Sequence, residues 1–209
     1  MADRAEVLEM AVQERTDLLT FLETLTPEQW ESPSLCAGWS VRRVVAHVIS
    51  YDELSWFGVF KRAVRGGFRP DRINELGVAD YAELGAERLL AVLRANLRPT
   101  GPITALGGQI PLVDGTIHHQ DIRRPLGMPR QIPAERLRVV LDLALKAPPT
   151  GAKKRAEGLT ARATDLDWTH GEGPEVTGPG EALLLALAGR KEALGDLDGR
   201  GMPMLTERL

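Results

Sequence analysis

Helical periodicity, broken at only a few places, is what most limits the folds open to this chain. Leu8, Ala11, Val12, Leu18, Leu19, Leu22 and Leu25 recur at spacings of three and four, with Glu6, Glu14 and Asp17 on the other side, so residues 3–24 are expected to form an amphipathic helix. The same spacing returns from Val41 to about Arg65, where Val41, Val44, Val48, Tyr51 and Leu54 mark the buried stripe and Ser40 is the N-cap. It returns again over Tyr81–Leu97 through Leu84, Leu89, Leu90, Leu93 and Leu97. A fourth helix opens at Pro111, a residue suited to the first helical position, and ends at Pro125 and Gly127. Gly115 inside it costs about 1 kcal/mol relative to alanine, which close passage of a neighbouring backbone would explain. A further helix runs from Pro133 to Leu145. Thr26-Pro-Glu-Gln29 carries a capping box. The stretch from Gly66 to Asp80, with Arg69 and Arg72, is expected to be a solvated loop. Helices with one apolar stripe bury it against each other, so the long helices are expected to build a bundle.

The period changes after Ala147-Pro-Pro-Thr-Gly-Ala-Lys-Lys-Arg-Ala156, which places the domain boundary there: 1–148 for the helical domain and 149–209 for the second. Leu159–Asp165 alternates apolar and polar residues as a half-buried strand does. Asp167–Gly173 is expected to turn back as a hairpin, with Val176 on a further strand and an apolar helix from Glu181 to about Arg190. The tail is thus a small α/β unit.

A net charge of -3 and a pI near 5.9 argue against a nucleic-acid partner, which calls for a basic surplus. Cys36 is the single cysteine, so an intramolecular disulfide is impossible. The charged N-terminus has no apolar signal core, and no apolar run approaches the roughly 18–20 residues of a membrane span. The expectation is a cytoplasmic protein with no membrane partner.

Asp114 and His118 lie four residues apart, so on a helix they emerge on one face a turn apart. That spacing suits a hydrogen-bonded pair, and it equally suits two ligands of one divalent ion. His47 points along the inner face of the second helix, where an imidazole without a partner costs about 1–3 kcal/mol. His47, Asp114 and His118 together supply three donors of types suited to zinc, and three ligands leave a coordination position open. His119 is turned about 100° from His118 and cannot face the same ion. Asp121 either orients a histidine or pairs with Arg124. Nothing places a base beside Cys36, which is expected to be a packed residue, and His170 is expected to be structural or exposed.

Three segments carry a resemblance: Trp30-Glu-Ser-Pro-Ser-Leu-Cys-Ala-Gly-Trp-Ser-Val-Arg-Arg-Val-Val-Ala-His47, Ile117-His-His-Gln-Asp-Ile-Arg-Arg-Pro-Leu-Gly127, and Ala163–Val176 with Leu183–Arg190. In this order they resemble the maleylpyruvate isomerase family of mycothiol-dependent enzymes, within the wider DinB-like superfamily. The resemblance implies an α+β fold, a DinB-like up-down four-helix bundle followed by a small α/β C-terminal domain. It implies a divalent metal, usually zinc, held by a bundle histidine and a later Glu-x-x-x-His pair. Carried over, the ligands are His47, Asp114 and His118, with Asp114 standing where the isomerase has glutamate. It also points to Arg190 as a contact for an anion, although an arginine at a helix C-terminus equally offsets the helix dipole. The implied activity is attack by a metal-bound thiolate of mycothiol, or a similar small thiol, on an electrophilic small molecule, giving cis-trans isomerisation or S-transfer. The implied assembly is a monomer or homodimer. The alternatives are a non-catalytic metal or small-ligand binding protein and a zinc-dependent hydrolase.

Overall fold

A computed structural model describes residues 2–81, 83–105 and 107–209. They divide into two compact units, residues 2–129 and 130–209.

The first unit is helical: α1 (Arg4–Leu22), α2 (Pro27–Glu31), α3 (Val41–Ile49), α4 (Trp56–Arg65), α5 (Pro70–Ala79), α6 (Ala86–Ala95) and α7 (Gln109–Arg123). α1 and α3 each pack on both α6 and α7, so the four form a bundle with α1 and α3 on one diagonal. Leu18, Leu22, Val44, Ile49, Leu89, Leu93, Leu112 and Ile122 fill its centre and are almost completely buried. α1 starts at a capping box: the Asp3 carboxylate accepts from the Ala5 and Glu6 N–H groups, and Glu6 accepts from the Asp3 N–H. The box expected at Thr26 and Gln29 also forms.

Four expectations are corrected here. The helix expected from Val41 to Arg65 is two helices. The chain leaves helical geometry after Ile49, Asp52 turns inward to pair with buried Arg15, and Ser55 opens α4 by accepting the Gly58 N–H. Arg62 secures the break by donating to the Ser50 carbonyl at 2.9 Å. The expected loop before Asp80 contains α5, started by Pro70 in its first turn and Asp71 beside the positive end of its dipole. Glu14, assigned to the solvent side of α1, is fully buried. Gly115 needs no close neighbour, since an added Cβ would meet the Glu14 Cγ at 3.8 Å, an ordinary contact.

The second unit holds α8 (Ala134–Lys146), α9 (Ala152–Ala156), β1 (Thr160–Ala163), β2 (Thr169–His170), β3 (Glu175–Gly178), α10 (Gly180–Leu187) and α11 (Met202–Glu207). The sheet order is β2-β1-β3; β1 and β2 form the expected hairpin, while β3 runs parallel to β1 with Ala161 opposite Val176. The units divide after residue 129 and not after 148, because α8 packs on α9 and α10 and its Asp142 accepts the Trp168 indole N–H at 2.9 Å. The Pro-Pro-Thr-Gly break therefore lies inside the second unit.

Burial pushes the Asp52 carboxyl up, against the pull of Arg15, to about 6. A raised acid holds its proton in the folded chain where the unfolded chain has lost it, so its stabilising contribution is complete below 3.8 and is lost as pH rises through about 6. A carboxyl chemical-shift titration should find Asp52 with its midpoint near 6, and a midpoint at or below 3.8 would contradict this. Replacing Gly115 by alanine should raise stability by about 0.5–1 kcal/mol in denaturant unfolding; a loss of stability would show that the site needs glycine.

Candidate metal centre

The site is built by α3, α7 and the loop between α2 and α3. Residues 32–40 are tied by a bridge between Pro33 and Ser40, by Ser34 donating to the Trp39 carbonyl through its N–H and its hydroxyl, and by a turn at Gly38 with φ +77°. The Leu35 N–H donates to the Asp121 carbonyl at 3.0 Å, which fastens this loop to α7. Cys36 and Trp39 are thereby held beside the two helices.

His47 on α3 meets Asp114 and His118 on α7. Asp114 Oδ1 lies 3.7 Å from His47 Nε2 and 3.4 Å from His118 Nε2. The two imidazoles stand edge to face, with centroids 4.8 Å apart and planes at 82°. Trp39 packs on the His47 ring at 5.4 Å and donates its indole N–H to Glu75. Both histidines are buried, whereas the Asp114 side chain keeps 39% of its exposure and so gives the site an open side.

His118 Nδ1 is 2.8 Å from Asp121 Oδ2, whose carboxylate is fully buried. An ionised carboxylate only accepts, so Nδ1 carries the hydrogen and Nε2 is left to face Asp114. Burial pushes the Asp114 carboxyl up, but the charges of His118 and then His47 outweigh it and hold it well below the usual carboxylate range. Burial likewise pushes His118 down, while Asp114, and then hydrogen bonds to Asp114, Asp121 and Cys36, raise it well above the usual imidazole value. His118 thus holds a proton beside an ionised Asp114, and a metal ion would have to displace that proton to use the Nε2 lone pair.

The donors fit a divalent ion. In a tetrahedral zinc site with bonds of about 2.0–2.2 Å, ligand atoms stand about 3.3–3.6 Å apart; here the three donor atoms all lie within 4.8 Å of one another. His47 Nδ1 is buried without a hydrogen-bond partner among the described residues, so this ring is held by packing and by what its Nε2 faces. Asp114, one methylene shorter than glutamate, still reaches both imidazoles.

A second trio shares one histidine: Cys36 Sγ lies 3.2 Å from Asp121 Oδ2 and 3.5 Å from His118 Nδ1. Asp121 thus takes the orienting role, and Cys36 supports it from a position no sequence spacing reveals. Trp39 was likewise not singled out from the sequence; the Gly38-Trp39 turn leading into α3 was its one signal. His119 faces away, with Nδ1 2.8 Å from buried Glu14 and Nε2 accepting from Arg123 Nε at 2.8 Å. Both of its nitrogens are occupied, which excludes it as a ligand. Arg190 lies in the second unit, just beyond α10, and donates to the Ala188 carbonyl at 2.8 Å, the place of a cation at a helix C-terminus. His170 is exposed and stacks with Trp168.

Replacing Asp121 by asparagine should weaken zinc binding by about 10–100-fold in competition with a chelator. The His119→Ala change should instead lower stability by about 2–3 kcal/mol and leave metal stoichiometry unchanged. The reverse pattern would assign the ion to the wrong side of α7.

Residues 11–101, which include Cys36, Trp39 and His47 and end before α7, match the family described as mycothiol maleylpyruvate isomerase N-terminal domain. A crystal structure of the mycothiol-dependent maleylpyruvate isomerase is similar over 95% of this chain and 93% of that chain, with 18% identity and a TM-score of 0.62. A histidine-to-alanine mutant of that isomerase is similar over the same shares, with 16% identity and a TM-score of 0.58. Among curated proteins none matches the sequence significantly. At these identities the two structures speak for the fold, and the family match covers most of the first unit. The chain therefore shares the fold of these isomerase structures, a helical bundle followed by a small α/β unit, and within its first unit residues 11–101 resemble the mycothiol maleylpyruvate isomerase N-terminal domain family.

Proposed function

We propose that this chain is a mycothiol-dependent enzyme of the isomerase type, with His47, Asp114 and His118 as ligands of a divalent ion, zinc by its donor set. The observation that carries this is the convergence of two imidazole Nε2 atoms and one carboxylate oxygen on a partly open site. A divalent ion bound there supplies the Lewis acidity that lets a small thiol act as a thiolate at neutral pH. The protein's own residues prepare the site. Asp121 keeps the proton on His118 Nδ1, so that Nε2 offers its lone pair. Asp114 offsets positive charge between the two rings, and Trp39 hinders rotation of His47.

The partners are a low-molecular-weight thiol, mycothiol by family, and a small electrophile, in the cytoplasm. Addition of the thiolate sulfur to an activated double bond leaves a single bond about which the substrate rotates. Expulsion of the sulfur then restores the double bond in the other configuration. Retention of the new C–S bond, with a proton taken up at the neighbouring carbon, gives S-transfer instead. A hydrolase would need a carboxylate free to take a proton from water. Asp121 is buried and its Oδ2 is engaged by His118 and Cys36, which favours thiol chemistry.

Purified protein, reconstituted where the ion is lost, should carry zinc in a 1:1 ratio to chain. His47→Ala should lower that ratio, and Asp114→Ala combined with His118→Ala should abolish binding. Isomerisation of a cis-configured activated alkene should require added mycothiol. Turnover without any thiol, or no metal after reconstitution, would refute the assignment.

A further inference from the structure

The described residues show a second feature, separate from the metal trio, on α4. Trp56, Phe57, Phe60 and Val64 are 66%, 74%, 60% and 50% exposed. At about 100° per residue, Phe60, Val64 and Phe57 fall about 40°, 80° and 100° from Trp56, so all four share one arc of the helix. The opposite side is the anchored one, where Arg62, 5% exposed, binds the Ser50 carbonyl and the Asp80 carboxylate. Just beyond α4, Phe68 is 68% exposed and holds φ +57°, a left-handed backbone that an aromatic residue rarely adopts. With aromatic side chains presenting roughly 150–250 Å² each, α4 alone offers roughly 500 Å² of apolar surface, the size of a functional patch.

Charge decides what this face suits. Residues 56–72 hold five basic side chains and one acidic one in a chain whose net charge is -3. Arg62 is buried and Arg69 pairs with Asp71, while Lys61, Arg65 and Arg72 are exposed. Lys61 and Arg65 follow the apolar arc at about 140° and 180°, so cations line one edge of it. A second copy paired through this face would bring the same cations together. An anionic bilayer meets both parts, taking the aromatic side chains at its headgroup boundary and the cations at its phosphates.

We propose that α4 is a peripheral contact with anionic phospholipid, lying in the plane of the surface with Trp56, Phe57, Phe60 and Val64 inserted and Lys61 and Arg65 on lipid phosphates. Among the described residues no helix is long and apolar enough to cross a membrane. A helix that lies on a surface needs no such length, so this contact departs from the expectation of no membrane partner.

Full-length protein should be floated with vesicles of phosphatidylcholine alone and with vesicles also containing phosphatidylglycerol. Partition should favour the anionic vesicles by about tenfold or more and should fall as salt is raised. Phe57→Ser with Phe60→Ser, and separately Lys61→Glu with Arg65→Glu, should each reduce it by about tenfold. All four positions are exposed, and an unchanged melting temperature checks that each variant is folded. Equal or absent partition into both vesicle types, or binding that survives both double changes, would overturn the proposal. So would a wild-type dimer that Phe57→Ser with Phe60→Ser converts to monomer, since a second copy would then own the face.

Discussion

The hydrogen bond between His118 Nδ1 and Asp121 Oδ2, 2.8 Å long inside the bundle, is the interaction on which the rest of the site depends. It sets the tautomer of His118 and directs Nε2 at Asp114. The Asp121 backbone does a second job, since its carbonyl holds the Leu35 N–H and with it the loop that carries Cys36 and Trp39. Trp39 then packs on His47. One buried aspartate therefore positions both histidines, one through its side chain and the other through a loop. A buried carboxylate is costly unless well partnered, and here both the imidazole and the Cys36 thiol face the same oxygen.

The adjacent histidines of α7 divide stability from chemistry. His118 faces the open trio, while His119, about 100° around the helix, joins Glu14 of α1 and Arg123 into a buried chain of hydrogen bonds. The Arg123 guanidinium also lies 3.8 Å over the Phe21 ring, a further tie to α1. α7 is thus fixed against α1 by one face and presents Asp114 and His118 toward His47 of α3 with another. The packing that orients His118 therefore does not depend on what its Nε2 faces.

Much of this was legible in the sequence where the cause is local. Helical period located α1, α6 and α7, and alternation located the β1–β2 hairpin. A four-residue spacing put Asp114 and His118 on one face, and the inner face of the second helix joined them to His47, a set the family resemblance repeated. What stayed hidden depends on partners far along the chain. The break after Ile49 follows from the pull of Arg15 on Asp52, and nothing near Asp52 announces it. Glu14 sits where charge belongs to solvent, and its burial is met by a hydrogen bond from His119, 105 residues away. Arginines disguised α5 as a loop although Pro70 and Asp71 mark its start. The prolines at 148 and 149 break the pattern without ending a unit, because α8 packs forward onto α9 and α10.

Two trios share His118, and they differ in the atoms they offer: nitrogen and oxygen from His47, Asp114 and His118, against sulfur, nitrogen and oxygen from Cys36, His118 and Asp121. X-ray absorption at the zinc edge, on reconstituted protein free of added thiol, separates them directly. The expected spectrum contains nitrogen and oxygen neighbours alone, at about 2.0–2.2 Å, with the outer-shell signature of two imidazoles. A sulfur neighbour at about 2.3 Å would place the ion against Cys36 and contradict the assignment of His47, Asp114 and His118.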